Sequence, residues 1–131
     1  MPVRIVRLGS PRTAGEGLRI GTVRRPPRGV PKAVLAARNF YDVWFPNLAP
    51  SEALLQRAQH AETEREWRAF ARAYRKEMAT PENKRTLDLL AALSHQASFS
   101  VGCYCEDPAR CHRSLLRELL AGAGASIGEV T

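Results

Sequence analysis

The stretch SFSVGCYCEDPARCHR, residues 98–113, decides how this chain folds, because it gathers all three cysteines, a histidine and two arginines into one junction. Residues 99–105 alternate and are rich in strand formers. Asp107-Pro108, followed by a leucine-bearing run to Leu120, reads as the N-terminus of a helix. The expectation is a strand, a tight loop and a helix. If the strand is parallel to its neighbours, the loop lies at its carboxyl end, where open α/β sheets bind their ligands. A helix N-terminus adds unpaired N–H groups and positive dipole, which suit an anion or a thiolate.

Bulk properties set the frame around this junction. A chain of 131 residues is one domain's worth and long enough to bury a core without staples. We expect a single α/β domain over residues 1–121 and a flexible tail over residues 122–131. No apolar run approaches a membrane span or a signal-peptide core, so a soluble, cytoplasmic protein without a membrane partner is expected. Three cysteines within nine residues do not make a secreted disulfide framework. The thiols are therefore structural, metal-binding or reactive. Of the net charge of +7, residues 1–28 carry +6, with seven arginines (Arg4, Arg7, Arg12, Arg19, Arg24, Arg25, Arg28) against the single acid Glu16. Such a segment is either a solvated basic face or an attractor of phosphate or nucleic acid.

In chain order, residues 2–8 read as a first strand and residues 18–23 as a second. Residues 24–32, RRPPRGVPK, form a stiff basic loop, because proline removes donors and fixes φ. Residues 39–47, NFYDVWFPN, read as a third strand closed by Pro46, with Asp42 turned to solvent or paired with an arginine, solvent being the expected case. Ser51 caps a helix to about residue 60. Thr63 and Glu66 form a capping box ahead of Trp67, Phe70, Ala71, Tyr74 and Met78, whose spacing predicts an amphipathic helix over residues 64–79 with its aromatics in the core. Thr80-Pro81 opens a further helix to about residue 95. His60 and His95 fall at helix ends and read as capping or solvated groups.

Three readings compete for Cys103, Cys105, Cys111, His112 and Arg113. A zinc site has the right ligand types, but C-x-C is not the usual spacing, and adjacent Cys111 and His112 would diverge by about 100° on a helix; no metal is assigned. An activated thiolate at Cys105 or Cys111 would have Arg110, His112 and Arg113 as electropositive company. Phosphatase and rhodanese loops bind oxyanions this way, yet Cys105 precedes Arg110 by one position fewer than in phosphatases, and Glu106 and Asp107 repel an anion. Packing alone accounts for the cysteines as small buried hydrophobes, but not for the polar triplet His112-Arg113-Ser114 at the head of an apolar helix.

Taken together, GLRIGTVRRPPRGVPK, YDVWFPNLAPSEALL and C-x-C-x-D-P-x-x-C-H-R-S-L-L resemble the domain-of-unknown-function family numbered 488 across most of residues 1–121. The resemblance points to Arg25, Pro27, Arg28, Gly29 and Lys32 in the basic loop and to Cys103, Cys111, His112 and Arg113 in the terminal motif. The chain departs from the family in carrying Val23-Arg24 where an acid often precedes the loop arginine. The resemblance implies helices packed on a mostly parallel sheet and supplies no reaction.

The resulting expectation is a three-layer α/β domain of about four mostly parallel strands, with a cleft at their carboxyl ends. There Arg24, Arg25, Arg28, Lys32, Arg110, Arg113 and Ser114 hold a phosphate- or nucleotide-like anion, with Cys105, Cys111 and His112 as candidate catalytic groups. A composite site of this kind needs the basic loop within about 15 Å of His112. The alternatives are a non-catalytic nucleic-acid module and a metal-binding accessory protein. Glycine-rich nucleotide fingerprints, paired catalytic carboxylates and a complete triad are missing from the sequence.

Overall fold

The computed structural model describes residues 2–104 and 111–128. Four parallel strands, β1 (Val3–Arg7), β2 (Leu18–Gly21), β3 (Val43–Trp44) and β4 (Phe99–Cys103), form one sheet in the order β1-β4-β2-β3. The last strand is thus inserted between the first two, in register Ile5–Val101–Ile20. Four helices, α1 (Glu52–Gln59), α2 (Glu64–Met78), α3 (Pro81–Leu93) and α4 (His112–Gly122), complete an α/β domain. Among the described residues no helix is long and apolar enough to cross a membrane.

The two-residue period of β1 divides the core. Val3 and Ile5 join Phe99 and Val101 against a helical layer that includes Leu54, Phe70, Tyr74, Leu87, Leu90, Leu116 and Leu120. Val6 and Leu8 belong to a second cluster with Val23, Leu35, Tyr41, Cys103 and Cys111. Here the cover is not an α-helix but the irregular chain between β2 and β3, which holds a single 3-10 turn at Lys32–Val34. The third layer expected from the sequence is therefore mostly loop. Strand β4 is buried at every position, and a Cβ on Gly102 would collide with the Val6 carbonyl, so only glycine lets β1 and β4 approach there.

Helix signals act where the sequence places them. The Ser51 hydroxyl accepts from the Leu54 N–H, and the Thr63 hydroxyl accepts from the Glu66 N–H while donating to its carboxylate. Thr63→Ala is expected to cost about 1 kcal/mol, the usual worth of such a cap, and urea denaturation would read it. Thr80 precedes the N1 proline without a side-chain cap. His60 is the C-cap of α1, and His95 Nε2 lies 2.7 Å from the Gly124 carbonyl.

The expected third strand contracts to Val43–Trp44. Asn39 adopts a left-handed φ of 64°, the Phe40 N–H bonds back to Leu35, and Tyr41 turns inward over Gly21, so the aromatic run is spent on a turn and a lid rather than on pairing. Asp42 is paired rather than simply solvated: it accepts two bonds from Arg12 (2.9 and 3.1 Å) and one from the Arg19 N–H (2.8 Å). Residues 126–128, within the stretch read as a loose tail, bond to β1 through Val3 N–H to Ser126 and Gly128 N–H to Val3, making a parallel bridge at Ile127.

Candidate functional site

Because every strand is parallel, all carboxyl ends lie along one edge of the sheet. The chain leaves β2 toward β3 on one side, whereas after β4 it passes through α4 to Ile127 beyond β1 on the other. Connections therefore diverge between β4 and β2, and this is the topological switch point at which open α/β sheets form their ligand crevice. Among the hydrogen bonds that span it, His112 Nε2, at the head of α4, lies 2.8 Å from the carbonyl of Thr22, just past β2. A carbonyl only accepts, so Nε2 carries a proton and donates it there, and Nδ1 is the ring's other nitrogen.

Nδ1 lies 3.8 Å from Cys111 Sγ. With Cys103 at the end of β4, the donor atoms of Cys103, Cys111 and His112 all fall within 4.8 Å of one another, and all three residues are buried. Cys111 is the N-cap of α4 and has extended backbone (φ −135°, ψ 149°), so its side chain does not follow the helical step to His112. The 100° divergence expected for two helical neighbours is thereby removed. Residues 107 and 108, where the sequence suggested the helix start, lie outside the described residues, as do Cys105 and Arg110.

Arg113, next along α4, is only 6 % exposed, and its Nη1 has no hydrogen-bond partner among the described residues. No described carboxylate forms an ion pair with it, and the first turn of α4 contains no acid. Cys111 provides no side-chain cap, although the Ser114 hydroxyl donates to the Cys111 carbonyl at 2.8 Å. Ser114 also lines a groove of about 570 Å³ between α2 and α4, with Arg68, Arg72 and Arg75.

The basic loop begins beside this site. Thr22, bonded to His112, is two residues from Arg24, and the Tyr104 hydroxyl donates to the Arg25 carbonyl at 3.3 Å. Its first two cations are engaged elsewhere: Arg24 donates to the Pro50 and Ala49 carbonyls, and Arg25 pairs with Glu52 at 2.7 Å. Arg28 and Lys32 are exposed. The remaining N-terminal arginines also have partners inside the protein: Arg4 on Gly15, Arg7 on Tyr104, Arg12 on Asp42, and Arg19, fully buried, on Glu16.

Two residues of the site were not singled out as such in the sequence. Thr22 contributes only a backbone carbonyl, which no side-chain pattern announces. Tyr74 was read as core and is core, but its ring also packs 5.7 Å from the His112 ring, and its hydroxyl donates to the Leu48 carbonyl at 2.7 Å. Burial, with Cys111 and Cys103 close by, pushes the Tyr74 hydroxyl well above its ordinary value, so it stays a neutral donor.

Fold and site define a parallel α/β protein with two thiols and an imidazole gathered at the switch point of its sheet and a buried arginine next along the helix. A family model described as the active DUF488-N3 subclade (DUF488-N3a) matches residues 3–124, and the chain belongs to that family. No curated protein and no solved structure matches the chain.

Proposed function

We propose that this protein binds an anionic, phosphate- or nucleotide-like group at the head of α4 and acts on it chemically. The observation that carries the reading is Arg113: a guanidinium 6 % exposed, with Nη1 unpartnered and no carboxylate paired to it among the described residues. Burying a charge without a counter-charge costs several kcal/mol, and an anionic ligand offsets that cost. The site's position supports the same ligand, since the N-terminus of the 11-residue helix α4 lies at the sheet's switch point. Arg28 and Lys32, exposed on the neighbouring loop, are further cations within the proposed site. The thiols and His112 beside the anion, and the word "active" in the subclade's description, favour an enzyme over a passive binder.

Nucleic-acid binding through residues 1–28 is the weaker reading, because six of the seven arginines there are bonded within the protein. Calorimetric titration with inorganic phosphate and with AMP tests the proposal. Arg113→Gln is expected to weaken binding by roughly 10- to 150-fold, the worth of a charged hydrogen bond. Equal affinity in a folded Arg113→Gln protein, or no binding of either probe by the wild type, overturns it.

A further inference from the structure

We propose that Cys103, Cys111 and His112 bind a thiophilic divalent cation, with zinc the ion of best fit, as its three ligands among the described residues. The proposal does not depend on the anion reading.

Convergence is the first ground. The three donor atoms lie within 4.8 Å of one another, and the Cys111 Sγ to His112 Nδ1 separation is already 3.8 Å. Around a tetrahedral zinc, with bonds of about 2.3 Å to sulfur and about 2.0 Å to nitrogen, ligand atoms lie roughly 3.5–3.8 Å apart. Side-chain rotation of under about 1 Å closes the difference. Orientation is the second ground. Nε2–H donates to the Thr22 carbonyl, and Nδ1 is the ring nitrogen that lies 3.8 Å from Cys111 Sγ. A histidine that donates one ring N–H to a carbonyl and coordinates through the other nitrogen is the common second-shell arrangement of metal sites.

Backbone is the third ground. Cys103 comes from the end of the central strand, and Cys111 and His112 from the head of α4, where the change from extended N-cap to helix lets these two neighbours converge, so two main-chain segments deliver the ligands. Two sulfurs and an imidazole select zinc or a similarly soft ion over magnesium and calcium, which take oxygen ligands. Two thiolates also neutralise a divalent charge, which suits a buried position.

The test uses the full chain, reduced and stripped with a chelator, then titrated with cobalt(II) and back-titrated with zinc. We expect about one equivalent bound, a thiolate-to-cobalt charge-transfer band, the intense visible bands of a four-coordinate ion, and displacement by zinc. Cys111→Ser and Cys103→Ser should each weaken binding by more than about tenfold and diminish the thiolate band. Arg113→Gln, which addresses only the anion, should leave the band intact, so the two proposals fail separately. Should the serine variants not fold, alkylation of the wild type followed by mass spectrometry decides: zinc must protect Cys103 and Cys111. A folded wild type without the thiolate band, a band unchanged in both serine variants, or alkylation of both thiols unaffected by zinc overturns the site.

Discussion

Replacing Glu16 with Gln is expected to destabilise the protein by about 3–5 kcal/mol, the cost of leaving one member of a buried ion pair without its counter-charge. Glu16 is 2 % exposed and Arg19 is 0 % exposed. Both carboxylate oxygens are used: Oε2 accepts from Arg19 Nε (2.8 Å) and the Ser100 hydroxyl (3.1 Å), and Oε1 accepts from Arg19 Nη2 (2.9 Å). Arg19 Nη1 donates in turn to the Ser10 and Asn39 carbonyls, so one guanidinium ties together β2, the loop after β1 and the turn before β3. Glutamine keeps the shape but removes the charge and turns a donor toward Arg19.

The same pair sets a pH dependence. Burial alone would raise the Glu16 carboxyl, but the bonds and charge of Arg19, with the Ser100 hydroxyl, outweigh it and hold the group below its ordinary value. A carboxyl depressed by folding contributes stability that is complete above its unfolded pKa and is lost as pH falls through its folded one. Urea denaturation should therefore show the gap between wild type and Glu16→Gln at full size near neutral pH and shrinking well below about pH 4. A gap under about 1 kcal/mol at neutral pH would show that the pair contributes little beyond its neutral isostere.

Tyr74→Ala is expected to cost a similar 3–5 kcal/mol, as for other large aromatic truncations in a packed core. The side chain is 0 % exposed, stacks on Phe70 with centroids 6.3 Å apart, and abuts His112. Tyr74→Phe keeps the ring and loses only the bond to Leu48, leaving that carbonyl short of a donor, for about 1–3 kcal/mol. Thermal unfolding of the two variants separates packing from hydrogen bonding. If they were equally destabilised, the hydroxyl rather than the ring would be the important part.

Local rules carried the sequence reading furthest where they act alone. Thr63 with Glu66, Ser51 with Leu54, and the three- and four-residue spacing of Phe70, Tyr74 and Met78 all describe interactions within one helix or its cap, and all appear in the fold. Failures came where a residue's partner is remote in sequence. Phe40 and Tyr41 have strand composition, but the left-handed Asn39 and the missing side chain at Gly21, over which the Tyr41 ring packs, decide their use. Arg19 looked like one more surface cation, because a lone Glu16 among seven arginines does not reveal which it meets. Cys111 and His112 were legible as chemistry. Their convergence with Cys103 and the Thr22 carbonyl was not, since it depends on β4 lying beside β2, and strand order is a property of the whole chain.

That insertion of β4 between β1 and β2 also governs how the protein is made. The first two strands emerge from the ribosome without a mutual pairing partner, and the strand that joins them begins only at Phe99. At roughly 5–20 residues per second, several seconds separate the synthesis of β2 from that of β4. During that interval β2 has only the two-residue β3 to pair with and β1 has no neighbouring strand, while α1, α2 and finally α3 are made. The helices that pack on Val3 and Ile5 in the folded protein, apart from α4, are thus all made before the strand that joins β1 to β2.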